Sequence, residues 1–211
     1  MKIIAVVVTY NRLELLKRNI ACLRANRPLD AIVVVNNGSI DGTTAWLASE
    51  PGLHVVNQAN VGGSGGFYTG IREACRLDAD WIWCMDDDVF PRPDCLESLL
   101  RHAGRSDVGM LAPRRLMEGK VYTNDFQALD LTCPFASLYK GKLSKMQVDA
   151  PTEICGTAFE GPFIRREVVE KIGLPKKELF IFCDDTDYCI RTVQAGYKIM
   201  YIPEALMDKE K

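Results

Sequence analysis

Apolar runs rich in β-branched residues alternate with segments of helical spacing through the first half of the chain. Nearly continuous apolar runs are typical of strands in parallel sheets that are buried on both faces, and apolar residues every three or four positions are typical of helices. The pattern predicts an α/β fold, a three-layer α/β/α sandwich around a mostly parallel central sheet. The expected strands are Ile3–Val8, Ala31–Val35, Leu53–Asn57, Trp81–Met85 and Val108–Ala112, and the expected helices are Arg12–Arg24, a short one from the N-cap Asp41 to Ala48, Gly65–Arg76 and Pro93–Ala103.

The second half of the chain lacks this regular alternation. Residues 113–150 mix polar and aromatic residues without a clear period, which predicts loops and short antiparallel strands. Farther along, a strand is expected at Ala158–Ile164, helices at Arg166–Ile172 and Asp184–Ala195, and a closing strand at Lys198–Ile202. Since no repeat or linker interrupts the chain, one domain over residues 1–211 is expected, with a smaller antiparallel portion in its second half.

Length and composition narrow the class of protein. A chain of 211 residues can form one substantial α/β domain, and its net charge of −2 gives no basic field of the kind that nucleic-acid-binding proteins carry. The apolar run at the N-terminus ends at Thr9, too short for a signal peptide or a spanning helix. Eight cysteines without a CxxC pair then indicate reduced thiols. A cytoplasmic protein is expected, with at most peripheral association at the inner face of the plasma membrane.

Polar, turn-forming residues collect after the expected strands. Open α/β sheets bind ligands at the carboxyl ends of their strands, so this edge is the expected site. Each segment alone also fits a simpler role, since Asn-Gly and Asp-Gly are ordinary turn sequences. The glycine-rich run can cradle a phosphate on backbone N–H groups, although it contains neither the Walker lysine nor GxGxxG. The segments are Thr9-Tyr10-Asn11-Arg12, Asn36-Asn37-Gly38-Ser39, Asn60-Val61-Gly62-Gly63-Ser64-Gly65-Gly66 and Asp86-Asp87-Asp88.

The three consecutive aspartates are the segment hardest to explain as a plain solvated loop. They follow a strand expected to be buried, where adjacent like charges repel one another. If strand geometry persists, Asp86 and Asp88 face one side and Asp87 faces the other. Two converging carboxylates suit a divalent cation, and Mg²⁺ or Mn²⁺ held by few protein oxygens completes its shell with substrate phosphates. We therefore expect a metal on Asp86 and Asp88.

A second acidic cluster, Asp184-Asp185-Thr186-Asp187, opens an expected helix. Helix capping explains one aspartate, and Asp187 has Arg191 four residues on as an ordinary helix ion pair. Asp185 has Cys189 at that spacing and hence no basic partner. A carboxylate beside an anionic metal–phosphate site has a raised proton affinity, which suits a general base.

With these segments placed, the chain resembles glycosyltransferase family 2, a family of inverting enzymes with the Rossmann-like GT-A fold. The matches span nearly the whole chain in order, and the glycine-rich run with the triple aspartate is most similar to bacterial galactofuranosyltransferases and rhamnosyltransferases. The QxxRW pattern of processive members is absent, which indicates single or limited sugar addition. The matching segments are Thr9-Tyr10-Asn11-Arg12, Val35-Asn36-Asn37-Gly38-Ser39, Asp41-Gly42-Thr43, Asn60-Val61-Gly62-Gly63, Asp86-Asp87-Asp88 with Pro91, and Asp184-Asp185-Thr186-Asp187 with Arg191, Gly196 and Pro203.

The resemblance implies a role for each of these segments. Residues 1–112 would bind a UDP- or dTDP-sugar, with UDP-galactofuranose or dTDP-rhamnose favoured. Residues 113–211 would bind a glycan or lipid-linked acceptor of bacterial surface polysaccharide synthesis, and Asp185 would deprotonate its hydroxyl. Asp86 and Asp88 would hold Mn²⁺ or Mg²⁺ on the donor diphosphate. The implied nucleotide-sugar contacts are Thr9, Tyr10, Arg12, Asn36 (at the pyrimidine), Asn37, Asn60, Gly62, Gly63, Asp86 and Asp87.

The chain also departs from the family. Some relatives supply a histidine metal ligand shortly after the counterpart of Pro203, and residues 204–211 contain none, so Asp208 is the substitute oxygen ligand that we consider. Relatives usually continue beyond this point, so a truncated or compact member is expected. Aromatic residues of the second half have two possible roles, stacking on sugars or packing in the core. They are Phe126, Phe135, Tyr139 and Phe159.

Two other interpretations stay open. A sugar-phosphate nucleotidyltransferase shares the sheet type and a metal-bound nucleotide, but such enzymes usually carry a glycine-rich loop with Arg and Lys after the first strand, where this chain has Thr9-Tyr10-Asn11-Arg12. A non-catalytic, glycosyltransferase-like module would bind a nucleotide-sugar without turnover. Release of pyrophosphate from a nucleoside triphosphate, or binding without transfer, would distinguish these two from a transferase.

Overall fold

The computed structural model describes residues 1–122, 125–129, 139–143 and 148–210. Within these ranges the helices are α1 (Leu13–Ala25), α2 (Thr43–Ser49), α3 (Gly62–Arg76), α4 (Cys95–Leu100), α5 (Arg166–Ile172) and α6 (Asp184–Gln194). The strands are β1 (Ile3–Thr9), β2 (Ala31–Asn36), β3 (His54–Asn57), β4 (Trp81–Asp86), β5 (Val89–Pro91), β6 (Val108–Met117), β7 (Lys120–Val121), β8 (Phe126–Leu129), β9 (Tyr139–Lys142), β10 (Thr152–Ile154), β11 (Phe163–Arg165) and β12 (Lys198–Lys209).

One large sheet organises the described chain, in the order β10-β12-β6-β11-β4-β1-β2-β3. Strands β1 to β4 pair in parallel, and β6 and β12 also run parallel to each other. Strand β11 lies antiparallel between β4 and β6, and β8 and β9 form a separate antiparallel pair. The predicted mostly parallel sheet with a smaller antiparallel portion in the second half is confirmed.

Both faces of the sheet are covered by helices. Alternate residues of β1 point to opposite faces, as the period of two requires. Ile3, Ala5 and Val7 pack in one apolar cluster with Leu16 of α1 and Leu96 of α4. The residues between them pack in a second cluster with α3, namely Ile4, Val6 and Val8 with Phe67, Ile71 and Ala74. The layers are therefore helix, sheet and helix, as the apolar strands predicted.

The glycine-rich run is part of a helix rather than a loop. Helix α3 begins at Gly62, three residues before the expected start at Gly65. A Cβ at Gly66 would lie 2.5 Å from Val8 Cγ1, and one at Gly70 would lie 2.2 Å from Val6 Cγ1. These glycines let α3 approach β1 more closely than any side chain would allow, so packing outweighs the low helix propensity of glycine.

The expected boundaries in the second half and around α4 change for local reasons. Strand β11 begins at Phe163 instead of Ala158, because Gly161 adopts φ +114° before Pro162 and the chain bends there. Strand β12 continues past its expected end at Ile202 to Lys209, and a register shift between Ile202 and Leu206 accommodates Pro203. Helix α4 is shorter than the expected Pro93–Ala103, since single turns replace helix at both of its ends.

The described cysteines and helices bear on two further expectations. The seven cysteines within the described ranges are free thiols, and Cys133 lies outside those ranges. No helix in that part of the protein combines the length and the apolar character needed to cross a bilayer.

Candidate active site

A cleft of about 560 Å³ opens at the carboxyl ends of β1 and β4. These two strands are neighbours, but the chain passes from β1 to β2 and β3 on one side before it returns to β4 on the other. The direction of winding therefore reverses between them, and open α/β sheets bind ligands at such a switch point. The volume is in the range of small-molecule sites.

The aspartate triplet forms one wall of the cleft. Asp86 ends β4, whereas Asp87 and Asp88 form a turn before β5, so strand alternation stops at Asp86. The condition under which Asp87 would face the opposite side is therefore not met, and all three aspartates line the cleft. Asp87 accepts hydrogen bonds from Thr9 Oγ1 at 2.7 Å and from an Arg12 guanidinium nitrogen at 3.3 Å. The turn is thereby tied to the end of β1.

Two cations hold Asp88, and one of them was not predicted. Arg12 donates to Asp88 Oδ2 at 3.0 Å, and Lys209 Nζ donates to Asp88 Oδ1 at 2.9 Å. The same Nζ lies 2.9 Å from Glu160 Oε1. Glu160 and Lys209 both line the cleft and come from the second half of the chain. Glu160 directly precedes the bend at Gly161, and Lys209 lies on the part of β12 that extends beyond Pro203.

Asp86 is the carboxylate of the triplet whose charged form its surroundings disfavour, although the positive charge of Lys209 acts in the other direction. Burial, followed by the negative charges of Asp88 and Glu160, raises its pKa well above the usual value. Within the described part of the chain no side-chain hydrogen bond or ion pair engages it. A half-buried carboxylate without a direct partner, beside a second carboxylate, fits a divalent cation, which would supply positive charge.

The metal would need ligands beyond the protein. The described residues contain no group of three or more His, Cys, Asp or Glu side chains arranged around one ion. Asp86 and Asp88 therefore fit as two oxygen ligands, and a substrate phosphate and water are suited to the remaining positions.

Asp185 also lines the cleft, from the first turn of α6. Burial raises its pKa, and the negative charges of Asp184 and Glu160 act in the same direction. Asp185 also lines a second pocket of about 280 Å³ with Phe126, Phe182 and other residues. The carboxylate thus lies between two spaces, one bordered by the aspartate triplet and one bordered by aromatic side chains.

The remaining wall comes from the segments after β2 and β3. Asn37 Nδ2 donates to Asn60 Oδ1 at 3.1 Å and to the Gly62 carbonyl at 3.0 Å. Gly62 adopts φ +78°, and a Cβ there would lie 2.0 Å from the Phe180 carbonyl oxygen, so glycine is required. Tyr10, Asn37, Asn60, Gly62 and Gly63 all line the cleft, where the sequence placed them.

Two of the expected site residues lie outside the cleft. The amide nitrogen of Asn36 donates to Thr44 Oγ1 and Asn57 Oδ1, both at 2.8 Å, and its oxygen accepts from the Ser39 N–H at 3.2 Å. The side chain therefore holds the loop after β2. Asp208 pairs with Arg92 at 2.9 and 3.1 Å, because successive residues of β12 face opposite sides and Lys209 takes the side of the cleft.

The aromatic residues of the second half have mixed positions. Phe159 is buried and stacks on Phe67 with ring centroids 4.7 Å apart, which supports core packing, although it also borders the cleft. Phe126 lines the second pocket. Phe135 and the side chain of Tyr139 lie outside the described part of the chain.

Curated relatives of the chain are bacterial sugar transferases. It is 29% identical over 202 residues to the galactofuranosyltransferase GlfT1 of Mycolicibacterium smegmatis, covering 91% of this chain and 65% of that protein. It is 27% identical over 215 residues to an undecaprenyl-phosphate mannosyltransferase of Micrococcus luteus, covering 100% of this chain and 85% of that protein. It is 25% identical over 210 residues to the dTDP-rhamnosyl transferase RfbF of Shigella flexneri, covering 97% of this chain and 68% of that protein. The chain thus spans about two thirds of the length of GlfT1.

Solved structures confirm the fold. GalNAc-T7, solved with UDP, GalNAc and Mn²⁺, superposes with a TM-score of 0.79 at 14% identity, over 99% of this chain and 44% of that one. At this identity the likeness shows the GT-A fold alone. The family model described as Glycosyl transferase family 2 matches residues 4–173, which is most of the chain. The chain belongs to glycosyltransferase family 2.

Proposed function

We propose that the protein is a metal-dependent, inverting glycosyltransferase that moves one sugar from a nucleotide-diphosphate donor to an acceptor hydroxyl. The observation that carries this proposal is that Asp86, Asp88 and Asp185 line one cleft. In this proposal a donor diphosphate lies beside Asp86 and Asp88, and its anomeric carbon points toward Asp185. Direct attack by an acceptor hydroxyl inverts that carbon and requires a base but no enzyme nucleophile.

The residues divide this work between binding and proton transfer. Thr9 and Arg12 fix Asp87 and Asp88 at the ends of β1 and β4, which orients the carboxylates before a donor arrives. A Mn²⁺ or Mg²⁺ on Asp86 and Asp88 would neutralise charge on the leaving diphosphate. Asp185, with its raised pKa, accepts the proton of the acceptor hydroxyl.

The positions around the cleft support a donor and an acceptor side. Tyr10, Asn37, Asn60 and the glycines at the start of α3 border the nucleotide and sugar, and Asn36 acts on them through the loop that it holds. The second pocket, which shares Asp185 with the cleft, suits the acceptor. In this proposal one domain spans the chain, with residues 1–112 mainly on the donor side and residues 113–211 supplying the acceptor side and the base.

The names of the relatives support a choice of substrates. A galactofuranosyltransferase and a dTDP-rhamnosyl transferase favour UDP-galactofuranose or dTDP-rhamnose as the donor. The undecaprenyl-phosphate mannosyltransferase supports a lipid-linked acceptor beside a glycan. We propose limited addition of sugar during synthesis of a bacterial surface polysaccharide.

Calorimetry on the 211-residue chain tests this function. UDP or dTDP is expected to bind at least about tenfold more tightly with Mn²⁺ than without it, and Asp88→Ala should remove that gain because a metal ligand is lost. Asp185→Asn should leave nucleotide binding intact while single-turnover transfer collapses, since its amide cannot accept the proton. Asp187→Asn is the matched control, because Asp187 pairs with Lys176 and Arg191. Metal-independent binding together with retained transfer by Asp185→Asn would overturn the proposal.

A further inference from the structure

Lys209 places a positive charge inside the corner of the cleft where the metal is expected. Its side chain is only 10% exposed, and its ammonium lies 2.9 Å from both Asp88 Oδ1 and Glu160 Oε1. The ring of Tyr122 lies on a further side, with its centroid 6.0 Å from Nζ. A lysine is rarely buried to this extent unless its charge is compensated, so the pairings hold it there.

The ammonium has bonding capacity that its partners do not use up. A lysine Nζ carries three N–H donors, and described residues accept two of them. The stem is flexible and the donors rotate, unlike the fixed fork of Arg12 on the other oxygen of Asp88. Lys209 can therefore serve a ligand in the cleft while it stays anchored to Glu160.

The charges of the corner indicate which ligand that is. Four carboxylates meet two cations here, and a third cation, Arg115, lies 3.4 Å from Glu160 Oε2. Negative charge is in excess, and a divalent ion would offset it. Each oxygen of Asp88 already accepts a hydrogen bond from a cation, and the positive charge of that cation opposes a metal that ligates the same oxygen. A diphosphate that arrives with the metal offers new oxygens to the displaced donor. The groups are Asp86, Asp87, Asp88 and Glu160 against Arg12 and Lys209.

We propose that Lys209 is a diphosphate-binding residue that holds Asp88 before the donor binds and turns to the donor's phosphate oxygens when a divalent cation takes its place at Asp88. This inference deepens the proposed function and rests on it. It assigns to Lys209 two opposite effects, since its ammonium competes with the metal alone and attracts the metal-bound diphosphate.

Calorimetry of Lys209→Met separates the two effects. The Lys209→Met variant is expected to bind Mn²⁺ alone about tenfold more tightly than the unsubstituted chain does, because the ammonium that competes at Asp88 is gone. UDP in saturating Mn²⁺ is expected to bind about 10- to 100-fold more weakly, because a charged hydrogen bond to phosphate is lost. Lys209→Arg should restore most of the UDP affinity, since it keeps the charge.

Lys198→Met is the matched control, because Lys198 lies on the same strand and pairs with Asp107 and Glu153 away from the cleft. It should change neither affinity. If Lys209→Met weakens both ligands together, or neither, Lys209 is a structural residue and the inference is wrong. If the unsubstituted chain shows no Mn²⁺-dependent UDP binding, the proposed function fails first, and the two failures are thereby distinguished.

Discussion

At the scale of single residues, the proton affinity of Asp185 is set by its neighbours. Burial raises its pKa first, and the negative charge of Asp184 in the same helical turn raises it further. A general base works only when it is deprotonated, so a raised pKa moves the loss of activity at low pH toward neutrality. The acid limb of kcat/KM should therefore lie above the ordinary aspartate value of about 3.9.

The substitution Asp184→Asn tests this cause. Removal of the adjacent negative charge should lower the pKa of Asp185, so the acid limb of the kcat/KM profile should move to lower pH. Asp187 lies in the same first turn. Burial alone would raise its pKa, but hydrogen bonds from Lys176 and Arg191 outweigh that effect, and the pKa of Asp187 is lowered. Asp187→Asn should therefore leave the limb in place. A limb that fails to move in Asp184→Asn would show that another group controls it.

Local signals in the sequence single out residues that come together in the structure. The three aspartates at 86–88 and Asp185 follow apolar runs, and the structure places all four in one cleft. Glu160 and Lys209 give no such signal, because Lys209 meets Asp88 across 121 positions of the chain. Asp208 was chosen as an oxygen ligand, but the face that a strand residue presents depends on register, which one sequence does not supply.

At the scale of elements, the approach of α3 to β1 depends on glycine. Alanine at position 70 would gain about 1 kcal/mol of helix propensity, but its Cβ would lie 2.2 Å from Val6 Cγ1 and 3.3 Å from Val35 Cγ2. Overpacking of a closed core costs about 1–3 kcal/mol, so Gly70→Ala should lower the free energy of unfolding. Urea titration with a fitted midpoint measures the change.

Gly63 offers a control on the same helix. A Cβ at this position meets no heavy atom within 4 Å, so Gly63→Ala should be neutral or up to about 1 kcal/mol stabilising. Equal midpoints for the two variants would show that α3 can shift away from β1, against the close packing described here.

Element boundaries followed from periodicity where the chain is regular. Helix α5 begins and ends where the sequence predicted, at Arg166 and Ile172, and β2 and β4 differ from the expected ranges by one residue. The start of α3 and the end of β12 could not be predicted. Glycine and proline normally interrupt such elements, and only the contacts with β1 and the register shift beside β6 explain their tolerance.

At the scale of the whole molecule, a chain of ion pairs joins the core to the cleft. Arg115 is fully buried and lies 2.8 Å from the equally buried Asp125. A second nitrogen of Arg115 lies 3.4 Å from Glu160 Oε2, and the other oxygen of Glu160 meets Lys209. The position of Glu160 in the cleft therefore depends on a pair formed well behind it. Such a network is invisible to local patterns, because its members come from four separate segments.

Substitution of Asp125 by alanine should destabilise the protein by about 3–5 kcal/mol, since it leaves the Arg115 charge buried with less compensation. Asp107→Ala is the control, because Asp107 pairs with Arg105 and Lys198 at the exposed surface, where ion pairs contribute little to stability. Urea unfolding of both variants measures the difference, and Mn²⁺-dependent UDP binding by Asp125→Ala below its unfolding midpoint measures the effect on the cleft. A loss of stability no larger than that of Asp107→Ala would show that Asp125 does not anchor Arg115. Weakened UDP binding together with the large loss would show that this pair also positions Glu160.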